Sequence, residues 1–132
     1  MRGRWRALSA AWFDEPMAVP DTVFLGILDR LPEVRRRESP TYTSFTVRDK
    51  TFGYLWEATQ TVGLKQTIPE QLALVAERPH VFEIQFTAGA FGWVVVHLSD
   101  IEADELTELT FEAWRLTAPS ALIDEFGDQP PR

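Results

Sequence analysis

The sequence contains no cysteine, which excludes disulfides, thiolate nucleophiles and cysteine-based zinc sites together. Histidine is scarce as well, and two histidines cannot form a metal site by themselves. No apolar run approaches the roughly 20 residues that a membrane-spanning helix requires. From these absences we expect a cytoplasmic protein that does not contact a membrane and holds no metal.

Catalytic motifs are also missing. None of the five serines lies in the G-x-S-x-G pattern of a nucleophile elbow. In the stretch GAFGWVVVHL, Gly89 and Gly92 are three positions apart, but a dinucleotide fingerprint needs three glycines between a strand and a helix. A Walker loop needs a following Lys-Ser/Thr, which is absent here. We therefore interpret both glycines as residues that shape the backbone before a buried Trp93.

The remaining titratable groups suit structural roles. His97 falls in an apolar strand, where a satisfied strand residue is the favoured interpretation over a ligand or a base. Carboxylates are frequent after residue 99, which is typical of the solvated face of a helix. We predict a protein that is not an enzyme and uses no cofactor.

The composition indicates one compact domain. The chain has 132 residues, of which 45% are hydrophobic and 25% charged. We place a leader at 1–18, a single domain at 19–126 and a polar tail at 127–132, and we expect a monomer. The net charge of −7 is uneven. Residues 1–99 hold 11 basic and 11 acidic residues, whereas residues 100–132 hold 2 basic and 9 acidic residues. This balance disfavours non-specific binding to duplex DNA but is compatible with a local basic face.

Hydrophobic spacing predicts the helices. Asp21 can cap a first helix that Pro32 closes, Thr67 and Glu70 form a capping box for a second helix, and Ser99 with Glu102 has the same spacing before a third. The third helix is expected to stop before Pro119, and a last turn follows it.

Alternating apolar residues predict the strands. A hairpin turns at Arg48 to Lys50. Further strands are expected at TVGLK, VFEIQF and WVVVHL, whereas EVRRRESP is interpreted as a charged connection. Alternation assigns Phe52, Tyr54 and Trp56 to one face, and it likewise assigns Phe82, Ile84 and Phe86 to one face. The predicted order α-β-β-β-α-β-β-α indicates an α+β fold with an antiparallel sheet of about five strands and helices on one side.

The segments FTVRDKTFGYLW, VGLK, GAFGWVVVHLSD and EAWRLTAPSAL together resemble the MmcQ/YjbR family over about residues 20–126. The most specific part is the pairing of Gly92 to Val94 with Arg115 to Pro119. The resemblance implies an α+β, secretion-chaperone-like fold and DNA binding by a hairpin-rich "double wing" protein. The positions that match are Phe45, Val47, Lys50, Phe52, Gly63, Leu64, Lys65, Gly89, Gly92, Trp93, Arg115, Ala118 and Pro119.

Two functions are compatible with these residues. As a DNA-binding module, the chain would contact phosphates through Arg48 and Lys50 at the hairpin tip, with Lys65 and Arg115 as further candidates. More cations are available at 35–37 and in the leader. In the competing structural interpretation, these are ordinary solvated charges that pair with carboxylates such as Glu33.

The second function is a protein-interaction or small-ligand module without catalysis. Five tryptophans and nine phenylalanines are more than a core of this size must hold, and surface aromatic residues tend to anchor partners. Trp114 is expected to be partly exposed, and Trp56 or Tyr54 could line a groove. Simple core packing is expected for Phe45, Phe52, Trp93 and Phe86.

Overall fold

A computed structural model of the chain describes residues 19–126. The leader and the tail assigned from the sequence lie outside these residues. Within them the chain forms four α-helices, which are α1 Asp21–Asp29, α2 Ile68–Glu77, α3 Ala103–Arg115 and α4 Ser120–Phe126. The same residues form six strands, which are β1 Val34–Glu38, β2 Thr43–Val47, β3 Lys50–Trp56, β4 Thr61–Thr67, β5 Phe82–Ala88 and β6 Phe91–His97.

The strands make one antiparallel sheet in the order β1-β2-β3-β4-β6-β5. This confirms the predicted α+β class. The interpretation of EVRRRESP as a charged connection is wrong. Val34–Glu38 within it forms β1, which pairs with β2 from Val34↔Val47 to Glu38↔Thr43. Three consecutive arginines conceal the alternation that marks a strand, yet an edge strand tolerates charge on both of its faces.

The helices cover one face of the sheet and bury the core there. The central strands supply Val62, Leu64, Val94 and Val96, and each of these side chains is fully buried. The predicted exposure of Trp114 is wrong: its side chain is 0% exposed on α3, and its indole N–H donates to the Pro32 carbonyl at 3.0 Å. No helix within residues 19–126 is both long enough and apolar enough to cross a bilayer.

The helix starts agree with the sequence in one case of three. The Thr67 hydroxyl accepts a hydrogen bond from the Glu70 amide at 3.2 Å, as the capping box requires. By contrast, α3 begins at Ala103, and Ser99 lies in a short 3₁₀ turn where its hydroxyl bonds Asp100. Asp21 is the first helical residue of α1 and not its cap. The last predicted turn, after Pro119, is the helix α4.

Two β-bulges change which side chains share a face. Phe45 pairs with Gly53 while Thr46 pairs with Thr51, so Phe52 is an extra residue in β3. A bulge residue interrupts the alternation, and Phe52 therefore enters the core while the residues after it change sides. The predicted common face of Phe52, Tyr54 and Trp56 is wrong for this reason.

The second bulge lies in β5. Ile84 pairs with Val94 and Phe86 pairs with Trp93, which leaves Gln85 as the extra residue. Phe82 therefore lies on the helix side and Phe86 on the opposite side, where its ring contacts the Trp93 indole. The predicted common face of Phe82, Ile84 and Phe86 is also wrong.

Candidate nucleic-acid interface

The sheet has a second face that no helix among residues 19–126 covers, which we call the open face. One row of paired residues crosses all six strands on it, namely Arg37, Ser44, Tyr54, Gly63, Val95 and Glu83. A second row includes Arg35 with Thr46 on one side and Lys65, Trp93 and Phe86 on the other.

Aromatic rings form a connected cluster on the open face, and we call it the aromatic cluster: Tyr42, Tyr54, Trp56, Phe86 and Trp93. The Tyr54 ring stacks on the Trp56 indole with 5.7 Å between centroids and an interplanar angle of 24°. Trp93 joins the rings of Tyr54 and Phe86, at 5.5 and 5.3 Å. Burial raises the pKa of the Tyr54 hydroxyl, and the neighbouring Tyr42 raises it further.

Gly63 makes room for the Trp56 indole. A Cβ atom at this position would lie 3.0 Å from Trp56 Cη2 and 2.5 Å from Gln85 Oε1. The Gln85 oxygen ends a flexible side chain and could move away, but the Trp56 ring would have to shift by a few tenths of an ångström. The absence of a side chain at Gly63 therefore gives the indole its space. The resemblance matched Gly63 by position, and its packing against Trp56 gives that match a physical reason.

Trp93 is buried, being 6% exposed, but it lies on the open face and not in the helix-covered core. Tyr54 and Phe86 cover it there. Phe86 itself is 39% exposed, so the expectation that it packs in the core is wrong. Trp93 therefore forms the floor of the aromatic cluster, and its neighbours form the accessible part.

Lys65 is the site candidate that the structure places directly on the open face. Its ammonium group lies 4.1 Å from the centroid of the Phe91 ring, within the range of a cation–π contact. Partial burial lowers the pKa of Lys65, and the charge of Lys50 lowers it further. Both lysines thus add positive charge to the same end of the sheet.

Arg35 and Arg37 also project from the open face, since they pair with Thr46 and Ser44 across β2. Both are exposed, and neither has an ion-pair partner within residues 19–126. Arg36 projects the other way, over the Phe45 ring and within 3.2 Å of the Asp29 carboxylate. If the segment had been assigned as a strand, the alternation of side chains would have placed Arg35 and Arg37 on one face and Arg36 on the other.

Arg48 is already neutralised. It occupies a two-residue hairpin turn with Asp49, where both residues have positive φ angles of 50° and 70°. Its guanidinium group makes two hydrogen bonds to the Glu33 carboxylate, which lower the pKa of Glu33. The competing interpretation of paired turn charges therefore describes Arg48.

The two remaining site candidates, Lys50 and Arg115, lie in different parts of the structure. Lys50 is exposed at the start of β3, close enough to Lys65 to affect its pKa. Arg115 lies at the end of α3, on the helix side of the sheet, where Glu112 is 3.6 Å away. The structure thus brings Lys50 and Lys65 together and leaves Arg115 elsewhere.

The glycine motif has two unrelated structural roles. Gly89 has a φ of +59° in the two-residue turn between β5 and β6, a conformation that suits glycine. Gly92 has no such angle; it lies within β6, where a Cβ atom would meet the Gln71 side chain at 2.6 Å. Pro119 directly precedes α4, and its carbonyl accepts hydrogen bonds from the amides of Leu122 and Ile123.

His97 and Glu83 form a pair at the far end of the open face, with 2.6 Å between Nε2 and Oε2. This pairing agrees with the prediction of a satisfied strand histidine. Within the described part of the chain, no cluster of three histidine or acidic side chains could hold a metal ion.

Comparison with known proteins supports the same fold. A family model for YjbR matches residues 29–116, about two thirds of the chain. The crystal structure of the Deinococcus radiodurans protein DR2400, with a DUF419 domain, superimposes with a TM-score of 0.70 at 17% sequence identity. That match covers 91% of this chain and 96% of the other. No curated protein matches the sequence significantly. On the family-model match, the chain belongs to the YjbR family.

Proposed function

We propose that this protein binds DNA without catalysing a reaction on it, and that cations on the open face contact the phosphates. The family resemblance noted in the sequence implies DNA binding, although the net charge of −7 opposes it. The observation that carries the proposal is the segregation of charge between the two layers of the fold.

The strands and the helices carry opposite charge. The six strands contain five basic and two acidic residues, whereas the four helices within residues 19–126 contain ten acidic residues and one basic residue. The acidic layer lies on the covered side. Three of the five strand cations, Arg35, Arg37 and Lys65, project from the open face, whereas Arg36 projects toward the helices. A local basic surface of this kind can neutralise phosphates although the whole molecule is acidic.

The hairpin tip contributes less than the sequence suggests. Glu33 already holds the Arg48 guanidinium, so a phosphate would have to compete with a bidentate carboxylate. Lys50 is exposed at the end of the sheet close to Lys65, although its pairing with Val47 directs it toward the helix-covered side. Among the predicted site residues we therefore assign phosphate contacts to Lys50 and Lys65, and to neither Arg48 nor Arg115.

The three arginines of β1 provide a matched test. Arg35→Gln and Arg37→Gln each remove one charge from the open face, and Arg36→Gln removes the same charge from the opposite face of the same strand. We expect either open-face variant to weaken binding of a fluorescein-labelled oligonucleotide about five- to tenfold at low salt, measured by fluorescence anisotropy. The Arg36 variant should bind like the unmodified protein.

An equal loss in all three variants would mean that binding follows total charge, and it would contradict the assignment to the open face. No measurable binding of single-stranded or duplex DNA at low salt would refute the function itself. Thermal unfolding of each variant shows that the comparison is made between folded proteins.

A further inference from the structure

We propose further that the DNA bound by the open face is single-stranded, and that its bases stack on the aromatic cluster around Tyr54 and Trp56. This inference rests on the proposed DNA-binding function and adds to it the type of strand and the residues that receive the bases. It draws on features that phosphate binding alone does not use, namely the rings at the centre of the basic face.

The aromatic cluster presents ring surface where a base could lie. Tyr54 and Trp56 are half-buried, and their rings are nearly parallel, with an interplanar angle of 24°. Tyr42 and Phe86, at the two ends, are 37% and 39% exposed. Stacking on aromatic side chains requires unpaired bases, because the base faces of a duplex are covered by their neighbours. A duplex could use the cations of this surface but not its rings.

The rings are held in place before any ligand arrives. Gly63 leaves the space that the Trp56 indole occupies, and Trp93 supports Tyr54 from below. Rings that are already fixed lose little conformational freedom on binding, which favours their use as a stacking platform. No helix within the described chain covers this face, so the rings are not enclosed in a hydrophobic core and remain accessible to a ligand.

Cations lie on both sides of the Tyr54 and Trp56 rings. Arg37 is aligned through Ser44 with Tyr54, so it lies two strands from the ring, roughly 10 Å away. Lys65 lies on the other side of β3, on the adjacent strand β4. A strand of DNA that crosses the sheet could therefore place bases on the rings and phosphates near both groups of cations.

The charge of the open face also favours an anionic ligand. In the row of paired residues that crosses the sheet through Tyr54, one residue, Glu83, is acidic, and His97 contacts its carboxylate. An apolar protein surface would bury Arg35, Arg37 and Lys65 without partners, at a cost in desolvation. A flexible polyanion that also carries flat apolar groups satisfies the rings and the cations together, and single-stranded DNA has both features.

The test compares single-stranded and duplex DNA with aromatic variants of the full chain. The probes are an oligodeoxythymidine of about eight nucleotides and a duplex of matched length at the same salt concentration. We expect the single strand to bind more tightly and to quench tryptophan fluorescence. Tyr54→Leu and Trp56→Leu should each weaken single-strand binding by about 5- to 100-fold, whereas Trp56→Phe should retain most of it.

The control variant is Phe126→Leu, which removes an aromatic side chain that is 45% exposed on α4, in the helix layer. It should leave the affinity unchanged. Thermal unfolding identifies any variant that fails to fold, and Tyr54→Leu and Trp56→Leu provide two independent readings of the same platform.

The outcomes separate the inference from the function it rests on. Duplex binding equal to or tighter than single-strand binding, with no effect of the Tyr54 and Trp56 variants, overturns the inference and leaves the DNA-binding proposal standing. Absence of binding to either probe overturns both. Tighter binding of an oligouridine than of the oligodeoxythymidine overturns the assignment to DNA.

Discussion

Gly92 and Gln71 share a small volume between β6 and α2. The Gln71 side chain is 1% exposed, and its amide nitrogen donates to the carbonyls of Phe86 and Trp93 at 3.1 and 2.9 Å. Gln71 thus links α2 to the two strands that carry Trp93 and Phe86. It cannot retreat from a new atom at position 92 without breaking these hydrogen bonds, because the new Cβ would meet its amide carbon at 2.6 Å and its own Cβ at 2.9 Å.

We therefore expect Gly92→Ala to lower the free energy of unfolding by about 1–3 kcal/mol, the usual cost of overpacking. Gly26→Ala on α1 is the opposite case, because a Cβ atom there meets nothing within 4 Å. Alanine favours a helix interior over glycine by roughly 0.5–1 kcal/mol, so this variant should be stabilised. Urea denaturation measures both changes. An unaffected or stabilised Gly92→Ala protein would contradict the packing role of Gln71.

At the scale of whole elements, a four-residue pattern has opposite outcomes at two places in the chain. Thr67 and Glu70 precede α2, and Ser99 and Glu102 precede the predicted start of α3. The first pair forms the capping hydrogen bond at 3.2 Å. At the second, the chain makes a 3₁₀ turn at Leu98–Asp100 and buries Ile101, which delays the start of α3 to Ala103.

We expect Thr67→Ala to destabilise the protein by about 1 kcal/mol through loss of the cap. Ser99→Ala should change stability by less than about 0.5 kcal/mol, since the Ser99 hydroxyl contacts the neighbouring Asp100 side chain and caps no helix. Thermal unfolding followed by circular dichroism compares the two. A Ser99 variant as unstable as the Thr67 variant would show that Ser99 caps α3 in solution.

Periodicity predicts the elements of this fold well and the faces of its strands poorly. The α+β class and the placement of β2 to β6 follow from alternation and turn residues, which are local properties. The bulges at Phe52 and Gln85 depend on pairing between strands, so no pattern within β3 or β5 reveals them. For the same reason, sequence patterns identified Lys65 as a candidate but did not show that Arg35, Arg37 and the aromatic cluster lie on one face of the sheet.

Across the whole molecule, the sheet separates a basic surface from an acidic one. Glu70 and Glu108 are exposed on α2 and α3, in the helix layer that lies behind the open face. A helix adds about 10 Å of thickness, close to the Debye length of about 10 Å at 0.1 M salt. Phosphates on the open face should therefore respond mainly to the nearby cations and little to these carboxylates.

This separation predicts the salt dependence of binding. If Arg35, Arg37, Lys50 and Lys65 each neutralise a phosphate of a single strand, the slope of log K against log salt should be about −3. Lys65→Gln should reduce its magnitude by about 0.7. Glu70→Gln combined with Glu108→Gln changes the net charge by two but adds no phosphate contact, so the slope should stay the same. Fluorescence anisotropy titrations at salt concentrations from about 50 to about 200 mM measure this slope for all three proteins. A slope that changes with the helix-layer carboxylates and not with Lys65 would mean that net charge, and not the open face, controls the interaction.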